Sequence, residues 1–185
     1  MLFTFQEIID IAIMTAITGY IFKDLFAKRP NPGNYNPLKP IKSNNHFWFA
    51  AVAVGSSIIL HELGHKFIAI YLGLEATFHA AYSFLILGLL LKLMNFSLIF
   101  LVPAYVSHPA TTPINSAMIA FAGPATNGLI WLITGLAINK NWIQKKYLSL
   151  AYATKYINGF LFIVNMIPFP GIDGYWIFKG LSQTL

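Results

Sequence analysis

Residues 47–73 form one apolar run long enough to cross a bilayer, and the segment His-Glu-Leu-Gly-His, 61–65, lies inside it. A hydrocarbon core needs roughly 20 apolar residues of helix. Ionisable side chains at such depth are costly and are kept where they do chemistry. On a helix, residues four apart share one face, so His61 and His65 can each offer a nitrogen to one metal ion. Glu62 points to the neighbouring flank, where it can reach water on that metal as a general base. A chance match in a surface helix does not fit the flanks, Ala-Val-Ala-Val at 51–54 and Ile-Ala-Ile-Tyr at 68–71.

Composition points to the same setting. Of 185 residues, 57% are hydrophobic and 10% charged, against about 25% charged in an average soluble domain. No cysteine is present, which excludes disulfides, thiolate metal sites and cysteine nucleophiles. The basic residues behind the net charge of +6 sit in loops between apolar segments. That placement suits a membrane surface and argues against nucleic acid as a partner. The N-terminus has Glu7 and Asp10 where a cleaved signal peptide has basic residues, so it is not read as one.

Residues 5–22 are a first candidate membrane helix, broken at its start by Gln6, Glu7 and Asp10. A loop rich in Pro, Asn and Lys, 23–45, separates this N-terminal unit, 1–45, from a main body, 46–185. In the body, 47–73, 115–138 and 147–167 read as long helices and 175–183 as a short one. The stretch 78–106 admits two readings. One is a single crossing with Lys92 snorkelling. The other is a re-entrant element that turns near Asn95, with 96–106 as a strand. The expected fold is an all-α polytopic membrane protein with about five transmembrane helices. A re-entrant, partly β element lies between the motif helix and the next core helix.

A second constellation, Asn165-Met-Ile-Pro168-Phe-Pro170-Gly-Ile-Asp173-Gly174, ends the last long segment. Its prolines break the helix, and Asp173 has no basic residue nearer than Lys179. The plain reading of Asp173 is a helix cap. Two histidines, however, leave a catalytic zinc one short of its usual three protein ligands, and Asp173 is the better third. Glu75 lies ten residues past His65, about 15 Å along a continuing helix. Tyr71 stands where a metzincin would place a third histidine. His46, His79 and His108 read as interfacial or loop residues.

With these residues in view, the chain resembles the site-2 protease family of intramembrane zinc metalloproteases. HELGH at 61–65, a GPxxN match at 123–127 and an NxxPxPxxDG match at 165–174 carry the resemblance over 47–180. It implies one zinc ion held by His61, His65 and Asp173, with Glu62 as the base. It implies that Asn165 helps hold the substrate and that Asn127 lines or buttresses the site, so both are counted with substrate binding. It further implies a multi-pass protein of the cell membrane with its active site nearer the cytoplasmic face. The 139–147 loop is too short for the peptide-binding domain that some relatives insert there. Substrate selection then falls to the bundle or to accessory membrane partners.

The expected function is hydrolysis of peptide bonds in or near transmembrane segments of membrane-protein substrates. The competing class is a non-proteolytic membrane zinc-binding protein, a sensor or transporter, and Glu62 discriminates because binding alone does not need a base. A metalloprotease trimming prenylated C-termini is a third reading, against which the NxxPxPxxDG match argues.

Overall fold

The computed structural model describes residues 2–26, 46–95 and 102–184. It is 74% helix, joined by one two-stranded sheet. Helix α1 spans Phe5–Phe22 and opens on a capping box. Thr4 Oγ1 accepts from the Glu7 amide at 3.3 Å, and Glu7 Oε2 accepts from the Thr4 amide at 2.7 Å. Glu7, one of the acids that look like an interruption in the sequence, therefore starts the helix.

Helix α2, Phe47–Tyr71, runs back against α1 and contains one π-helical stretch, Ala51–Gly55. The two helices meet through small residues. A Cβ on Gly19 would lie 2.8 Å from Ala51 Cβ, and one on Gly55 would lie 2.8 Å from Thr15 Cγ2. Only glycine permits backbones to approach this closely. The motif helix ends at Tyr71, two residues short of the expected 73, where Gly73 takes a left-handed φ of +79°.

Strand β1, Thr77–Ala80, follows, then helix α3, Tyr82–Leu93, and strand β2, Ala104–Ser107. The strands are antiparallel, with Thr77 opposite Ser107 and Ala80 opposite Ala104. The connection therefore returns to where it began. Asn95, near which a turn is expected, has a left-handed φ of +57°. The expected strand 96–106 is corrected to Ala104–Ser107; residues 96–101 lie outside the described residues. The expectation also missed β1. Its four residues are too short for an alternating pattern to stand out in an apolar sequence.

Helix α4, Pro113–Asn139, starts with Thr112 as N-cap and a proline in its first turn, and carries Pro124 in its interior. Helix α5, Leu148–Asn165, and helix α6, Asp173–Ser182, complete the chain. The terminal helix begins two residues before the expected 175, so Asp173 is its first residue and Ile172 its N-cap. The plain reading of Asp173 as a cap does not hold.

Met14, Val54, Ile58, Phe78, Ala80, Leu85 and Ala104 form a buried cluster that joins α1, α2 and the hairpin. Among the described residues two helices, Phe47–Tyr71 and Pro113–Asn139, are long and apolar enough to cross a membrane.

Candidate metal centre

Helix α2 supplies His61 and His65 one turn apart, both buried, with ring centroids 4.7 Å apart. Asp173 comes from the far end of the sequence. After α5 stops at Asn165, the Pro168-Phe-Pro170-Gly171 turn reverses the chain, with Gly171 at φ +93°. Ile172 is extended, so α6 starts with its first carboxylate aimed back at α2. Asp173 Oδ2 lies 3.0 Å from His61 Nε2 and 3.4 Å from His65 Nε2, and the two Nε2 atoms are 3.1 Å apart.

The other ring nitrogens are held. His65 Nδ1 sits 2.7 Å from the Ile119 carbonyl, which can only accept, so Nδ1 carries the proton. His61 Nδ1 sits 2.5 Å from Asn127 Oδ1. The Asn127 amide is oriented by its own donors. Its Nδ2 donates to the Ser57 carbonyl at 3.2 Å and to Asn158 Oδ1 at 2.7 Å. In neutral rings both Nε2 lone pairs therefore face the Asp173 carboxylate, and three acceptors converge with no donor among them.

Helix α4 closes the back of this group. A Cβ on Gly123 would lie 2.5 Å from His65 Cε1 and 2.7 Å from His61 Nε2. Only glycine lets α4 approach the imidazoles. Glu62 is buried next to its ligand neighbour and, among the described residues, accepts no hydrogen bond from protein. It lines a cavity of about 790 Å³ together with His61, His65, Asn165, Asp173 and the segment Val102–Val106.

Over 96% of its length the chain is 33% identical to a Methanocaldococcus jannaschii protein provisionally named as a zinc metalloprotease, covering 85% of that relative. The chain belongs to this zinc metalloprotease family. Neither a protein-family model nor a solved structure matches it.

The donor set of the metalloprotease fits zinc. Bonds of about 2.0–2.1 Å in a tetrahedral site place ligand atoms roughly 3.3 Å apart, and the three separations found are 3.0, 3.1 and 3.4 Å. His61, His65 and Asp173 come together among the described residues as a group able to hold a metal ion. Asn165 reaches the cavity wall. Asn127 does not. It is wholly buried, with its Oδ1 against His61 Nδ1. The hydroxyls of Ser56, Ser57 and Thr126 bond carbonyls one turn back in their own helices. Sequence reasoning missed Asn158, whose Nδ2 donates to Ser57 Oγ and to the Thr154 carbonyl. An asparagine in the middle of an apolar segment was the available signal.

Proposed function

We propose that the chain is a site-2-type intramembrane zinc endopeptidase that cuts membrane-spanning protein substrates at the His61–His65–Asp173 centre. The observation that carries this reading is one cavity lined by three metal donors, by the carboxylate of Glu62 and by strand β2. Zinc bound there supplies Lewis acidity to water and to a peptide carbonyl. Glu62 takes the proton from the attacking water and delivers it to the leaving amine. Asn165 stands at the cavity wall to hold the substrate backbone.

A membrane setting is supported by an inverted distribution of side chains. Glu7, Asp10, Lys66, Asn127 and Asn158 are buried, whereas Phe84, Leu90, Leu132, Ile133, Leu136 and Ile163 face outward. Water would reverse that arrangement. The proposed protein has about five spans in the cell membrane, with the centre nearer the cytoplasm and accessory membrane proteins as further partners.

A substrate helix must unwind before its carbonyls are free, and β-addition to an open strand edge holds it extended. In an antiparallel ladder, alternate residues face the partner strand. The Phe78 and Ala80 amides point to α1, and the Ala81 amide donates to the Pro103 carbonyl. Ala104 and Val106 therefore turn their backbone groups away from β1, and both residues line the cavity. An incoming strand pairs there.

Co-expression with a panel of single-span substrates tests the proposal. Wild type should release a fragment that Glu62→Gln does not. A panel left intact by wild type, in a chain that holds zinc, would instead indicate a binding protein.

A further inference from the structure

The structure assigns Glu7 and Asp10 of α1 as positioning residues: their buried carboxylates close the outer edge of β1 and so hold the free edge of β2 beside the metal centre. This rests on the proposed strand addition. The two acids are one helical turn apart, and they meet backbone amides two residues apart on the strand. Glu7 Oε1 accepts from the Phe78 amide at 2.7 Å, and Asp10 Oδ2 accepts from the Ala80 amide at 3.1 Å. Both carboxylates are saturated. Glu7 also receives the Thr4 amide and the Lys66 ammonium, and Asp10 receives Tyr82 Oη at 2.7 Å and Gln6 Nε2 at 2.9 Å.

Burial makes the pairing costly to lose. Glu7 is 1% and Asp10 2% exposed, and Lys66 is 1% exposed. An unpaired strand edge invites any extended chain to add to it. With β1 capped, the hairpin is, among the described residues, open on one side only, the side that shares the cavity with His61, Glu62 and His65. Lys66 directly follows His65, so the Lys66–Glu7 pair ties the clamp to the metal-bearing helix at its ligand turn. The clamp thus sets where the accepting strand lies relative to the metal, while touching neither metal nor substrate.

Asp10→Asn is the direct test. One carboxylate oxygen becomes an amide NH2, a donor, that must face the Ala80 amide or the donors Tyr82 and Gln6. Because Glu7→Gln alone would leave a buried ammonium unpaired, Glu7→Gln with Lys66→Met is the second variant. Asp24→Asn, whose partner Lys92 lies away from the hairpin, is the control. The probe is a quenched-fluorescence peptide with an apolar, strand-forming segment, cleaved by the full chain in detergent. Losing a hydrogen bond to a charged group should raise KM roughly tenfold in both clamp variants, with kcat within about twofold. Zinc content should not change. A merely structural role would lower kcat and zinc together.

Amide hydrogen exchange supplies a readout that needs no cleavage. Exchange across 77–82 should rise about tenfold in the clamp variants while α4 stays protected. Unchanged exchange, or unchanged KM with faster exchange, overturns the assignment. If wild type cleaves no probe, the protease reading has failed, and exchange alone then decides whether the clamp exists.

Discussion

At the residue scale, each side chain around the centre has a separable task. Glu62→Gln should keep zinc and lose cleavage, because it removes the base and leaves every donor. Asp173→Ala should lose both, since two histidines alone do not complete a catalytic set. Glu75→Ala should keep both, because Glu75 is exposed beyond the end of α2 and outside the cavity. Metal analysis and cleavage assays on the three purified variants read these outcomes, and zinc retained by Asp173→Ala but lost by Glu75→Ala would reverse the ligand assignment. Two further residues act on the histidines from behind. Asn158→Leu should weaken zinc binding by about 10–100-fold, the usual cost of losing support behind a ligand, because Asn127 then loses the acceptor that orients it. Gly123→Ala should also reduce zinc content, since the new methyl collides with both imidazoles. Competition against a zinc chelator measures both variants. The three residues that converge, His61, His65 and Asp173, could be singled out in the sequence because HExxH and the Asp173 turn are local patterns. Asn158 was not, because its meaning depends on a neighbour 31 positions away.

At the scale of elements, sequence periodicity located the long helices and misjudged what lies between them. Boundaries of α4 and α5 moved by one or two residues from 115–138 and 147–167. The hairpin was another matter. Strand β1 is held by side chains of α1, with Glu7 reaching Phe78 across 71 positions. Nothing in a four-residue segment announces such a partner. The same two acids had looked like damage to a membrane helix, because carboxylates count against burial until their donors are known. One consequence of the hairpin can be measured directly. Residues 74–114 begin and end side by side, since Thr77 pairs with Ser107. Cysteines introduced at Ala76 and Ala110, in a chain with no others, should react with an impermeant thiol reagent from the same side of the membrane. Reaction from opposite sides would exclude a re-entrant connection and restore the single crossing.

At the scale of the whole molecule, the metal centre lies toward one end of the bundle and the α4–α5 turn with its three lysines toward the other. Glu7 near the start of α1 pairs with Lys66 near the end of α2, next to His65, so α1 ends, at Phe22, at the opposite end. The α4–α5 turn, with exposed Lys140, Lys145 and Lys146, follows Gly123 by 16 residues or more of helix, about 24 Å. The C-terminal end of α1 and the α4–α5 turn thus share the end remote from the metal donors. Loop charge alone would make that end cytoplasmic. The proposed site-2-type orientation makes it external. A catalytic bundle cannot be inverted without moving its substrate entry, whereas loop charge biases topology and can be overridden. The proposed orientation therefore takes precedence. A reporter fused after Lys140 should be non-cytoplasmic, and one fused at the N-terminus should report the opposite side, because α1 lies between them and α2 and α4 restore the parity. A cytoplasmic signal after Lys140 would invert the orientation, yet it would leave the ligands, the base and the carboxylate clamp where they are, since none of them depends on which leaflet is which.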